Sequence, residues 1–579
     1  MKKTTMQPSE IDVDGILRAL GDSKYFHTTQ YLIVCASALT ASANSFFYIF
    51  IATIPEYRCK NLTEFQLSQY NISIREEVNL SYDKCSIDII NTDGGITREN
   101  RTLDCLNGYY YTAPVDKSIV SQWDLVCKNN GLAESTQTFY ILGQVVSGLL
   151  APYLIERFGR KPIRILSNFF LVVFNLLSAF TPFYWLFAAA RFFTGVLREV
   201  FVLSSVTLAC ELYPKEKRIV MTGIFMFIWS MLSCLLGLIA YLFKDYSWNT
   251  LFLFNAVVSG YFLVDLLFME ESLRWLFANS KIKAAEDILK KAARQNKIDF
   301  DNVWNITLKD ASKQQVDSHV NEASHESQNR GTISPIDDTA TTIVEDKQPN
   351  IEKETSTFAK LLAVFKLPYL RKITIVVSIE CAVNMTSLTS IILMLDTLVG
   401  SVYLNSTIMF FVDGISSFIY TTLAKRYGHN KALQTTKLFT AICMISAALI
   451  KLLAENSQTM DYIFLGLYTL ALSGLSAAVN GDYIYISELF PTEIRSAGNG
   501  FATTFMRIVC TAAPFFKLLA LAFPWVPGII IGLGCIVSSI IIRVFLPETG
   551  NRVLPQTIEE VNRTEEHNTK KLNKIENAS

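Results

Sequence analysis

Nine ionisable side chains stand where water is scarce: Arg191, Arg198, Glu199, Asp265, Glu380, Asp413, Asp482, Arg507 and Lys517 each interrupt a long apolar run. An unpaired charge in hydrocarbon costs on the order of 2.5–3.5 kcal/mol on insertion scales. Such groups persist where they hold something, either a counter-charge on the chain or a charged small molecule. The chemistry on offer is ion binding rather than bond making. All five histidines, His27, His319, His325, His429 and His567, lie outside the apolar runs or at their edges. Neither a histidine-based triad nor a metal cluster can assemble from them in the interior. No catalytic residue, metal or cofactor is expected, and no enzymatic activity.

The elements that position these charges are the apolar runs themselves. The chain has 579 residues, 50% hydrophobic and 18% charged, against about a quarter charged in a typical soluble protein. Runs near the ~20 residues needed to cross a bilayer fall at 31–54, 134–155, 163–182, 184–207, 219–243, 249–270, 373–395, 401–424, 433–454, 461–486, 499–521 and 525–546. They lack the alternation of barrel strands and read as helices. The expectation is an all-α integral membrane protein with twelve spans, six on each side of a polar gap. Lys plus Arg and Asp plus Glu both number 52, so no global basic field points to nucleic acid. The bilayer and a small molecule are the expected partners.

Orientation follows from Lys and Arg in short loops. Arg157, Arg160, Lys161 and Arg164, then Lys215, Lys217 and Arg218, then Lys425, Arg426 and Lys431 place both termini inside, 1–30 and 547–579, together with the 271–370 gap. Residues 55–133 then lie outside. That segment holds Cys59, Cys85, Cys105 and Cys127 and four sequons, at Asn61, Asn71, Asn79 and Asn100. Two disulfides are expected, in any of three pairings. The gap begins with a Lys-rich helical stretch at 281–297 and continues as a polar tract, about 310–356, whose composition suits a disordered tether.

An internal repeat organises the spans. ELYPKEKR (211–218) returns as ELFPTEIR (488–495), and Glu271 in ESLRWL returns as Glu548 in LPETG, both 277 residues on; ERFGRKP (156–162) returns more weakly as KRYGHNK (425–431). Two six-helix halves repeating in the same sense resemble the plan of the major facilitator superfamily, with solute held near midplane between the halves. The residues of these motifs, Glu156, Arg157, Gly159, Arg160, Glu211, Arg218, Glu271, Arg274, Arg426, Glu488, Arg495 and Glu548, read as gating motifs whose ion pairs change as the halves rock. The glycines at 143 and 148 allow close helix approach.

Candidate solute contacts follow from this plan. Arg198 and Glu199 lie roughly 22 Å along span four from its outer end, and neighbours about 100° apart on a helix suggest that one faces the cavity while the other ties down a neighbour. Glu380 and Asn384 share a face of span seven, suiting a cation ligand and a hydrogen-bonding neighbour. Asp413, Asp482 and Arg507 are further charged candidates, Trp229 and Phe225 aromatic ones, and Asn44 and Gln137 polar ones.

Further motifs sharpen the resemblance. SQWDLVC (121–127), RFFTG (191–195), TLACELYP (207–214), ESLRWL (271–276), KKAARQN (290–296), YISELFPTEIRSAG (485–498) and LPETGNRVLPQTIEE (546–560) resemble the organic cation, organic anion and carnitine transporters. The resemblance implies a polyspecific carrier of small organic ions at a plasma membrane. It places an acid at Asp413 and an aromatic at Trp229. It makes the position of Arg507 acidic in cation carriers and arginine in anion and carnitine carriers, while Ser417 stands where anion carriers commonly have a second base. The sign of the solute charge stays open. Leu388, Thr389 and Ser390 replace the family's aromatic pair and glycine in span seven, and EESLRWL lacks its two prolines. These departures leave two alternatives standing: a transporter-shaped receptor or scaffold, and a carrier of a neutral solute such as a sugar.

Overall fold

The computed structural model describes residues 12–304 and 365–548, apart from 22–23, 70–77, 94–95, 366–367, 454–456 and 491–493. The expected tether at 310–356, Asn71 and nearly all of the 547–579 tail lie outside the described residues.

Among the described residues, eleven helical segments are long and apolar enough to cross a membrane: Tyr25–Ile51, Cys127–Phe158, Arg160–Phe180, Lys215–Leu242, Asn249–Phe268, Pro368–Leu393, Val402–Tyr427, His429–Leu453, Gln458–Tyr483, Gly498–Ala522 and Val526–Phe545. Span four, Tyr184–Glu211, is a further helix of 28 residues, with Arg191, Arg198 and Glu199 in its length. Large apolar side chains stand exposed around the bundle, among them Leu149, Phe180, Trp185, Val257 and Leu453. Water would not tolerate that much apolar surface; lipid does.

Several helices run past the hydropathy limits, because the backbone ladder continues until something stops it. Span two ends at Gly159 and span eight at Gly428, with φ of +102° and +88°. Only glycine adopts these values freely. The glutamate found 277 residues apart then performs one task twice. Glu271 accepts the backbone N–H groups of Arg160 and Lys161 at 3.1 and 3.2 Å, and Glu548 accepts that of His429 at 2.9 Å. Each carboxylate closes the N-terminus of the following span, where unpaired donors and the helix dipole favour an anion.

Between spans one and two, five strands among the described residues form two small antiparallel sheets: β1 (Tyr57–Cys59) with β5 (Tyr109–Tyr111), and β2 (Val78–Tyr82), β3 (Ser86–Asp93) and β4 (Ile96–Asp104) in that order. Of the three possible pairings the structure selects Cys59–Cys105 and Cys85–Cys127. Asn61 is exposed; Asn79 and Asn100 lie on β2 and β4, with side chains outside the description.

At the other end of the bundle, the helix Val13–Ala19 docks on the stretch 273–304 through Ile16, Leu17, Leu20, Leu276 and Leu289. Asp14 anchors it, 2.5 Å from Arg274 and 3.7 Å from Arg218, and accepts the N–H of Lys215 at 3.1 Å. Burial pushes this carboxyl up, but Arg274, the Lys215 N–H and Arg218 outweigh it and hold it below the usual carboxylate range. Its stabilising contribution is therefore present above the ordinary carboxylate pKa and is lost as pH falls through the lowered value. Asp14→Ala should speed hydrogen exchange in residues 13–20, with the spans unaffected.

Spans two and four meet at glycines. A Cβ on Gly143 would sit 2.1 Å from the Phe192 carbonyl oxygen, and one on Gly195 would sit 2.0 Å from that of Tyr140. Gly466 has open space around it. Gly143→Val or Gly195→Val should cost at least about 1–3 kcal/mol through forced backbone displacement and lower the yield of monodisperse protein in detergent. Gly466→Val should leave that yield unchanged.

Candidate functional site

The central charges meet across the two halves. Arg198 Nη1 donates to Glu199 Oε2 at 2.9 Å; Glu199 Oε1 accepts from Arg507 Nη2 at 2.6 Å; Arg507 Nη1 donates to Gln144 Oε1 at 2.6 Å. Span eleven is thereby tied to spans two and four. Helix geometry sets Arg198 and Glu199 apart, yet the long arginine side chain reaches round to its own neighbour, so both serve one cluster. The guanidinium carbon of Arg198 lies 5.3 Å from the centre of the Trp229 ring, within cation–π range. Tyr483, 45% exposed, lies in the field of Arg507, Glu199 and Arg198. It went unnoticed in sequence because a tyrosine in an apolar run carries no signal. On a second seam Ser230 of span five donates to Asp413 of span eight at 2.5 Å.

Other candidates go elsewhere. Asn44 is buried and bonds Asn255 of span six at 3.2 Å. Gln137 accepts from the buried Arg191 at 2.5 Å. Phe225 packs with Tyr31, Tyr213 and Met269 in a buried cluster. Glu380, Asn384 and Asp482 point into the second half instead of between the halves. The cation that Glu380 holds is the chain's own Lys437, a residue that sequence reading passed over because it lies near the cytoplasmic end of its run. Asp265 is similarly satisfied by Arg164, with two 3.0 Å bonds and both side chains fully buried.

The gating motifs divide in the same way. Arg160 pairs with Glu211 at 2.8 Å. Glu156 offers its backbone carbonyl to the Trp275 indole, and Arg157 and Arg426 are exposed, lying over the rings of Tyr153 and Tyr427. The interhelical pair expected from ERFGRK thus rests on Arg160, since Glu156 and Arg157 project away from the bundle. Arg218 and Arg274 serve the amino-terminal helix. The side chains of Glu488 and Arg495 lie outside the description.

The halves also meet at the end of the bundle where Lys517 lies. Lys517 Nζ lies 2.6 Å from Asp396 and 3.9 Å from Glu134, and donates to the Ala52 carbonyl at 2.8 Å. Phe50 stacks on Tyr403 at 5.6 Å between ring centres, and Thr138 of span two donates to the carbonyl of Thr511 at 3.1 Å. At the opposite end, the Arg160–Glu211 pair and the caps from Glu271 and Glu548 each lie inside one half.

Residues 127–563 match the model of the family described as sugar (and other) transporters. The chain belongs to that family. Among curated relatives it is similar to solute carrier family 22 member 6-A of Xenopus laevis, 26% identical over 568 residues, covering 94% of this chain and 93% of the relative. It is also similar to organic anion transporter 3 of Homo sapiens, 24% identical over 551 residues, with 94% and 93% covered. A third is the organic cation transporter-like protein of Drosophila melanogaster, 25% identical over 554 residues, with 94% and 91% covered. Among solved structures, the inward open conformation of the xylose transporter XylE from E. coli matches with a TM-score of 0.57 at 14% identity, over 92% of this chain and 98% of that one. The major facilitator superfamily proton:xylose symporter XylE bound to 6-bromo-6-deoxy-D-glucose gives 0.55 at 15% identity, with the same coverage. At such identity these structures speak to fold alone, and the fold is that of the major facilitator superfamily: an all-α membrane transporter.

The contacts around Lys517 make a testable claim. Lys517→Met leaves Glu134 and Asp396 buried without a cation, a loss of about 3–5 kcal/mol for a broken buried pair. The state in which the halves meet here should lose population, and a cysteine placed at Thr138 should react with a membrane-impermeant thiol reagent at least tenfold faster than in the protein that keeps Lys517.

Proposed function

We propose that this transporter carries small organic ions across the plasma membrane by alternating access, with both termini cytoplasmic, and that it prefers solutes bearing a carboxylate. The printed names of the curated relatives include organic anion and organic cation transporters, which supports the solute class. The orientation rests on the basic loops and on the disulfide-bonded segment 55–133. The observation that carries the solute preference is the Arg198–Glu199–Arg507 cluster. Two guanidinium groups share one carboxylate there, at 2.9 and 2.6 Å, at the point where the halves meet. An incoming carboxylate finds a planar, bidentate donor in Arg507 and can take the place that Glu199 occupies. Trp229 offers an aromatic face beside it. A sugar has no charge to bring to this site.

Uptake of labelled p-aminohippurate, carnitine, tetraethylammonium and xylose by cells displaying the protein tests this reading. Carboxylate-bearing solutes should enter faster than tetraethylammonium or xylose, and Arg507→Ala should reduce their uptake at least tenfold at unchanged surface expression. Transport of xylose alone would overturn the solute class. Absence of flux for the whole panel at normal surface expression would overturn the carrier reading in favour of a receptor or scaffold.

A further inference from the structure

Inside the second half, away from the Arg198–Glu199–Arg507 cluster, four spans converge on a charge group that the transport scheme above does not use. Glu380 of span seven is paired with Lys437 of span nine. Ser538 of span twelve bonds both of them, accepting from Lys437 at 2.6 Å and donating to Glu380. Asn384, one turn on from Glu380, donates from a single amide nitrogen to Glu380 at 3.0 Å and to Asp482 of span ten at 2.7 Å. All are buried, at 0–5% exposure.

The charges do not balance. The titratable or charged groups that these elements turn toward Asp482 are Glu380, Lys437 and the Cys381 thiol of span seven, with the Cys535 thiol of span twelve behind Lys437. Two carboxylates therefore face one ammonium. Among the described residues, Glu380 is in direct contact with the ammonium, whereas Asp482 feels Lys437 only through its field and is bonded by the neutral Asn384 amide. A buried carboxylate with no counter-charge is strongly disfavoured, and a second carboxylate nearby adds repulsion. Asn384 Nδ2 sits between the two carboxylates, 3.0 Å from Glu380 and 2.7 Å from Asp482, so both are held in one buried group with a single ammonium. A hydrogen on Asp482 removes the repulsion between them.

We propose that Glu380, Asp482, Asn384 and Lys437 form a proton-binding site that holds one proton on Asp482 at neutral pH and links solute carriage to a pH gradient. The linkage rests on the carrier reading above; the site itself does not. Asp482 is adjacent in sequence to Tyr483, which is 45% exposed beside Arg507 and Glu199. The site thus lies immediately behind the wall of the central cluster, and parting of the two halves brings solvent to within one residue of Asp482. No redox or covalent step is involved: the proton bonds to a carboxylate oxygen and leaves as hydronium.

Infrared difference spectroscopy on the purified full chain tests the site without any solute. The spectrum of wild type minus Asp482→Asn at neutral pH should contain the carbonyl stretch of one protonated carboxyl. Glu380→Gln minus Asp482→Asn should lack it, because removing either carboxylate leaves the other balanced by Lys437. Absence of the band from the first difference overturns the site, as does its persistence in the second. The linkage is read in cells: an inward acid gradient should raise the initial uptake of an accepted solute at least threefold in wild type and leave Asp482→Asn unchanged. A band accompanied by gradient-insensitive uptake would mark a static proton and overturn the linkage. Failure of every solute to enter, with the band present, would count against the carrier reading and leave the site standing.

Discussion

A charge in hydrocarbon must meet its counter-charge within the protein, and the rest of this structure is arranged around that demand. The pairs fall into two kinds. Arg164 with Asp265, and Glu380 with Lys437, join helices of one half and need not change during rocking. Arg507 with Glu199, and Lys517 with Glu134, join different halves and must part if the halves separate. Buried pairs add little net stability compared with apolar packing, but a broken one is costly. The first kind therefore makes each half a rigid body. The second confines the protein to arrangements in which both partners are satisfied.

The ends of spans two and eight add a third use of charge. Glu271 and Glu548 each receive backbone donors at the start of the next span, so the carboxylate faces partial charges of its own half. These caps fix the angle at which spans three and nine leave the membrane surface, and they depend on Gly159 and Gly428 at positive φ. Close approach at Gly143 and Gly195 locks spans two and four together. Stiff halves that meet around Lys517 concentrate any motion at the seam between them.

The spans and the repeat were legible in the sequence because each rests on a strong local signal: apolar length and repeated motifs. The site was legible only in part. Arg198, Glu199, Arg507, Trp229 and Asp413 lie at seams, as their position along the helices suggested. Glu380, Asn384, Asp482, Asn44 and Gln137 had the same apparent claim but face inward within a half. Hydropathy gives depth along a helix and periodicity gives a face, yet neither tells which neighbour that face meets. Lys437 escaped attention for the converse reason, since a lysine near a helix end ordinarily reaches the interface. Here it is fully buried because Glu380 and Ser538 draw it inward.

The central cluster also bears on how binding could drive the cycle under the proposed function. Glu199 occupies Arg507 in the structure, and this bond joins the halves. A solute carboxylate arriving at Arg507 must compete with Glu199, so loading and loosening of the seam become one event. Arg198 remains beside Glu199 at 2.9 Å and prevents the displaced carboxylate from standing unpaired. The exchange therefore proceeds without leaving a bare charge in the membrane interior. A neutral solute could not drive the same exchange, because it offers Arg507 nothing to replace the carboxylate it would lose.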